Sequence, residues 1–222
     1  MQLNDSQFPI GSYSHSYGLE TYVLYRLIED AKDTKEYLEN YLAGTFYYND
    51  LLAAYLAYKY FIQGDLDGIV ALNLRLQAAK SQEELRLASE KLGSRLLSTV
   101  DKMEVDFPGK YYACLDLHRE KDLAIHHAVA YGLIGASLDI DLHSCLLSFA
   151  FNMAQAMVTN AVKTVPISQF DGQKILYQVH GLILDLTMNI ENLAPEYYFA
   201  SYPGVEIASM QHEIVYSRLY MS

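Results

Sequence analysis

The stretch TKEYLENYLAGTFYYNDLLAAYLAYKYFI, residues 34–62, sets the fold class. Leu38, Leu42, Leu52 and Leu56 fall at i, i+4, i+14 and i+18, on one helical face. Tyr41, Tyr48, Tyr55 and Ile62 recur every seven residues beside them. Gly64 follows as a C-cap. A tyrosine stripe of this kind could meet a partner, but its large apolar rings place it in a core first.

Outward from this stretch the helical pattern continues. Ser81-Gln-Glu-Glu84 reads as a capping box, with Ser81 as N-cap and Glu84 reaching back. It opens a helix through Ala88, Leu92 and Leu96 to about Met103. Asp106-Phe-Pro-Gly109 is a turn cluster. Residues 123–138 form a helix rich in alanine and glycine, whose small side chains allow close packing of another helix. Asp139-Ile-Asp141 separates it from a helix over 142–165, ended by Pro166. Another helix spans 173–193 before Pro195. Asp171 is the expected N-cap of that turn. No segment shows sustained period-two alternation, so no strand is expected. The expectation is an all-α, single-domain helical bundle over residues 1–222, of about eight to ten helices, with irregular N- and C-terminal segments (1–20 and 205–222).

Composition agrees. The chain has 222 residues, 51% of them hydrophobic, enough for one sizeable core. The formal net charge is −11, and there is no cluster of Lys and Arg, which argues against nucleic acid. Two distant cysteines, Cys114 and Cys145, point to a reducing compartment, the cytosol. No basic region leads into an apolar run at the start, so no signal peptide is expected. The apolar stretch CLLSFAFNMAQAMV, residues 145–158, is shorter than the ~20 residues of a membrane span and reads as a buried helix.

Local catalytic signatures are weak. The seven histidines make no i, i+4 pair and no His-Glu-x-x-His. His126 and His127, adjacent on a helix, point to different faces and cannot chelate one ion together. Neither a phosphate-binding loop nor a dinucleotide fingerprint is present. The segment FPIGSYSHSYGLE, residues 8–20, holds Ser14, His15 and Glu20, the residue types of a hydrolase triad. Adjacent serine and histidine rarely have triad geometry, and there is no Gly-x-Ser-x-Gly elbow. Pro9 and Gly11 fit a turn, the serines fit a cap, and Gly18-Leu-Glu20 fits a helix start.

Four segments together carry a resemblance. Residues 5–20, DSQFPIGSYSHSYGLE, resemble the opening motif of the urease accessory protein UreF family. Arg86, Ser89 and Gly93 are similar to its R-x-x-S-x-x-x-G helix. AVKTVPISQFDGQ, residues 161–173, resembles its A-V-K-x-[VI]-P-L-G-Q-x-D-G-Q segment, with Ile167-Ser168 in place of Leu-Gly. HEIVYSRLYMS, residues 212–222, resembles its C-terminal motif, with Tyr220 in place of Phe. The four occur in matching order along the whole chain.

The resemblance implies an all-helical, homodimeric, non-enzymatic scaffold in urease maturation. It implies a complex with the accessory protein UreD (also called UreH) and the GTPase UreG that docks on the urease apoprotein. That complex delivers nickel, coupled to GTP hydrolysis, and the resemblance implies that UreF, without stably binding a cofactor, either modulates the GTPase or forms part of an internal path for nickel. The implied UreD contacts are at the ends: Phe8, Pro9, His15 and Glu20, and His212, Glu213, Tyr216, Arg218, Leu219 and Tyr220. Lys163 and Gln169 are implied to face the GTPase. Two further readings stand beside this one. In the first the protein is itself a nickel-binding metallochaperone, using Cys114 and Cys145 or His212, with His15, Glu20 and His212 touching metal in transit. In the second it is a helical hydrolase using Ser14, His15 and Glu20.

Overall fold

In a computed structural model, which describes Phe8 and residues 17–200, the chain is all-α, with no strand among the described residues. The helices are α1 (Leu19–Leu24), α2 (Ala31–Tyr41), α3 (Leu52–Gln63), α4 (Leu66–Ala79) and α5 (Glu83–Lys102). They continue with α6 (Gly109–Glu120), α7 (His127–Ser137), α8 (Leu142–Thr164), α9 (Gln169–Gln178) and α10 (His180–Asn189). A widened, π-helical stretch, Leu42–Leu51, joins α2 to α3, and Gly44 breaks its helical dihedrals at φ −103° and ψ −111°. Two short 3₁₀ turns, Ile190–Asn192 and Pro195–Tyr197, close the described chain.

The bundle is built around α7. Every residue from His127 to Ala136 is buried, and α3 and α5 are its principal neighbours. Small residues make this possible. A Cβ on Gly132 would lie 2.2 Å from the Ala54 carbonyl oxygen on α3. A Cβ on Gly135 would lie 2.4 Å from Cys145 Sγ on α8. Ala53, Ala54 and Ala57 are the facing small residues of α3, all fully buried. The alanine- and glycine-rich helix therefore serves close packing inside one chain. Being buried inside one chain, those small residues do not supply a dimer face.

Most elements lie where periodicity put them, and the departures have local causes. Gly64 caps α3 in the left-handed region, at φ 77°. The helix expected from residue 123 begins at His127, because Asn73 holds the preceding segment extended. Asn73 Nδ2 donates to the Ala124 carbonyl at 2.8 Å, and the His126 amide donates to Asn73 Oδ1 at 3.0 Å. The helix expected over 173–193 starts earlier, at Gln169, and is interrupted at Val179. The N-cap there is Ser168, with Asp171 at the third position completing a capping box. Asp171 is thus the reciprocal partner and not the cap. At α5 the expected box at Ser81 does not form: Gln82 occupies the N-cap, with no side-chain cap bond. Helices α4 and α6 lie in stretches that the periodicity reading left unassigned.

The tyrosine stripe runs from core to surface. Tyr41 is buried, Tyr48 and Tyr55 are half-buried, and Ile62 is exposed. By length and composition alone α8 could cross a membrane, but 61% of its most apolar window is buried in the bundle.

The α3–α7 approach makes a definite prediction. Gly132→Ala should destabilise the fold by about 1–3 kcal/mol, the usual cost of overpacking, because a backbone carbonyl cannot yield cheaply. Chemical denaturation would measure it, and an unchanged midpoint would contradict the packing described.

Candidate functional site

The Leu42–Leu51 stretch carries polar groups into the interior. Asn49 and Asp50 are buried, at 5% and 7% exposure. The Asn49 amide donates from Nδ2 to the Thr45 carbonyl at 3.0 Å and to the Ala200 carbonyl at 3.2 Å. Beside it the Phe199 amide donates to the Tyr48 carbonyl at 3.0 Å. Phe199 itself is left-handed, at φ 61°. The last described residues before the C-terminal segment are thereby fixed to this stretch.

The N-terminal motif ends on the same elements. Tyr17 and Gly18 are both left-handed, at φ 54° and 86°, a conformation that costs a non-glycine residue about 1–2 kcal/mol. Tyr37, on α2, offsets that cost by donating its hydroxyl to the Tyr17 carbonyl at 2.6 Å. The Tyr17 ring packs on Tyr41, with centroids 5.6 Å apart. Burial, reinforced by the Asp50 carboxylate, pushes the Tyr17 and Tyr41 phenols well above their ordinary range. Phe8, from the same motif, is buried in the core. The tyrosine-rich end of α2 and the widened stretch after it therefore hold both ends of the described chain.

A second layer locks that stretch to the rest of the bundle. Lys80 and Asp50 form a 2.9 Å ion pair, with side chains 13% and 9% exposed. Arg86 Nη1 donates to the Lys80 carbonyl at 3.2 Å. Ser89 Oγ accepts from the His127 amide at 3.4 Å. A Cβ on Gly93 would lie 2.0 Å from the Ile125 carbonyl oxygen. Together Arg86, Ser89 and Gly93 seat the 80–82 connection and the 125–127 segment against α5.

A family model, UreF, matches residues 28–180. The chain belongs to the UreF family. Curated relatives named urease accessory protein UreF align along its full length. The Geobacillus kaustophilus protein is 33% identical over 230 residues, covering 100% of this chain and 96% of its own. The Actinobacillus pleuropneumoniae protein is 34% identical over 224 residues, covering 100% and 97%. The Haemophilus influenzae (strain PittGG) protein is 32% identical over 226 residues, covering 100% and 94%. Membership supports a role in urease maturation, and the relatives are named as accessory proteins, not as enzymes.

The third UreF segment forms a separate exposed patch. Lys163, in the last turn of α8, and Gln169, the first residue of α9, are exposed and line one groove with Gln155, Thr159 and Gln173. Gly172 lets α9 press onto α8, since a Cβ there would lie 2.9 Å from Val162 Cγ2. Hydrogen bonds from Ser168 hold the Asp171 carboxyl below its usual range. Glu20 lies in the first turn of α1 and is half-buried. Pro9, Ser14, His15, His212, Glu213, Tyr216, Arg218, Leu219 and Tyr220 lie outside the described residues, as do most of the 1–20 and all of the 205–222 segments.

Cys114 and Cys145 are free and buried, on α6 and α8. Burial pushes both thiols up to about 12, disfavouring the thiolate that binds metal. No group of three or more His, Cys, Asp or Glu side chains suited to a metal occurs among the described residues. His118 has its Nδ1 2.8 Å from the Cys114 carbonyl oxygen, which assigns the proton to that nitrogen. Asn49, Asp50, Lys80 and Tyr37 were not singled out from sequence. Their one sequence signal is Asn-Asp inside an otherwise apolar helical run.

His126 gives this region a pH dependence. Its imidazole is fully buried and pushed from 6.5 down to about 4 by burial, with Lys80 and Arg86 adding to the effect and Asp50 opposing it. The folded state therefore keeps His126 neutral while the unfolded chain takes up a proton below about 6.5. The contribution is complete above that pH and is lost as pH falls toward 4, on the order of 3 kcal/mol in all. Urea denaturation across this range should show a shallower pH dependence for His126→Gln than for the parent, and equal slopes would contradict it.

Proposed function

We propose that the protein is the adapter of a urease maturation complex, joining UreD (UreH) to the GTPase UreG on the urease apoprotein during GTP-dependent nickel insertion. The observation that carries this reading is the shared anchoring of both chain ends. Residues 17–18 and 199–200 are fixed to α2 and the stretch that follows it, so both ends of the 17–200 span meet on one platform. A folded platform that gathers both ends of the 17–200 span suits a docking protein, and on this reading a partner contacts the flanking motif residues, Phe8 excepted because it is buried in the core. On this reading UreD takes the N-terminal segment and the tail around His212 and Arg218. Arg218 suits an anchor because its planar donors can grip a carboxylate or a row of carbonyls.

The Lys163–Gln169 groove is the proposed GTPase-facing surface. Its lysine is an exposed cation at a helix C-terminus, where the helix field favours positive charge, and a carboxylate on the GTPase would pair with it. The homodimer has a different candidate surface, the outer face of α8, α9 and α10. There Phe151, Tyr177, Leu184 and Met188 are exposed, at 37%, 77%, 44% and 61%. His180 packs edge-on beside Tyr177 at 5.8 Å. Nickel and GTP are cargo and fuel of the complex in this account, and the protein acts in the cytoplasm.

Co-expression with UreD, UreG and the urease subunits tests the reading. Deletion of residues 210–222 should abolish UreD co-purification and urease activation while leaving the helical bundle folded. Lys163→Ala should keep the UreD contact and change the rate of GTP hydrolysis by UreG in the complex. Intact assembly and activation after the deletion would overturn the tail assignment.

A further inference from the structure

Among the described residues, four side chains around the widened stretch have hydrogen-bonding capacity that protein atoms do not use, and they border one chamber. Asp50 and Lys80 share a single contact, Nζ to Oδ2, at 2.9 Å. A carboxylate accepts about four hydrogen bonds and an ammonium donates about three, so this contact leaves most of both capacities open. Thr45 Oγ1 and Gln82 Nε2 are buried and have no hydrogen-bond partner, and Gln82 is only 4% exposed. Thr45, Asp50, Lys80 and Gln82 all line the same chamber of about 40 Å³, with Leu92 and Met153 on its apolar side.

The chemistry of the lining selects the occupant. Removing two charges from bulk water is repaid only when their remaining lone pairs and protons find partners. The chamber already contains one anion and one cation, so a further ion would leave one charge uncompensated. What fits is a neutral molecule that both donates and accepts. The size restricts it further, because a water needs about 10–15 Å³ of room for its centre.

We propose that this chamber is an internal hydration site. About two or three waters donate to Asp50 and accept from Lys80, Gln82 and Thr45. This cluster fastens the Leu42–Leu51 stretch to the connection between α4 and α5. It is a structural part of the platform that positions both chain ends, and it stands whether or not the partners proposed above are the right ones.

High-resolution crystallography of the full chain, with and without xenon pressure, reads the occupant directly. The expected result is ordered solvent within hydrogen-bonding distance of Thr45 Oγ1, Gln82 Nε2 and the Asp50 carboxylate, with no xenon in the chamber. Xenon density would mark a dry cavity and overturn the proposal. So would collapse of the chamber, with Thr45 and Gln82 bonded directly to protein groups. The Thr45→Val/Gln82→Met double variant should lose at least one of the solvent peaks. Retention of every peak would remove these two groups as its partners.

Discussion

Asn49 sits in the middle of a helical run and uses its amide to hold a carbonyl 151 residues away along the chain. Asn49 lies in the widened Leu42–Leu51 stretch, which is kinked at Gly44 and buries both Asn49 and Asp50. Widened turns of this type are uncommon and tend to occur at functional sites. Here the widening is supported from three directions. Asp50 is paired with Lys80 across to the α4–α5 connection, Tyr41 packs on Tyr17, and Tyr48 accepts from Phe199. Removing either polar contact leaves buried groups without partners, which is costly in an interior.

The remainder of the bundle keeps this stretch in place. The central α7 is buried from His127 to Ala136 and approaches α3, the helix that follows the widened stretch, at a glycine–alanine contact. The 125–127 segment, which leads into α7, lies against α5 through Ser89 and Gly93 and is bracketed by Asn73. Two UreF-motif segments thus have structural roles: one ends at Tyr17 on the platform, the other braces it from α5. The Lys163–Gln169 segment belongs to a different surface, between α8 and α9, and is the exposed one.

Much of the fold was legible from the chain. Leucine spacing over 34–62, the glycine at 64 and the proline at 166 have local meanings that survive in the structure, and α8 ends within a residue of its expected boundary. The departures from local pattern arise where side chains from elsewhere decide backbone conformation. Asn73 delays the start of α7, and no periodicity in residues 123–138 could reveal it. Ser81 has the composition of a cap, but the chain at Lys80 is held by Arg86 and Asp50, and Gln82 takes the position instead. The candidate site was legible only in part. Family motifs flagged the two ends, while the residues that anchor them, Tyr37, Asn49 and Asp50, are ordinary in local sequence and acquire their roles through contacts distant along the chain.

The anchoring of both ends by one stretch is tested most directly by amide hydrogen exchange on the Tyr37→Phe/Asn49→Ala double variant of the full chain. The account predicts faster exchange around Tyr17–Leu19 and at Phe199–Ala200, with protection of α7 unchanged. Unchanged exchange at both ends, or a uniform loss of protection that includes α7, would contradict it.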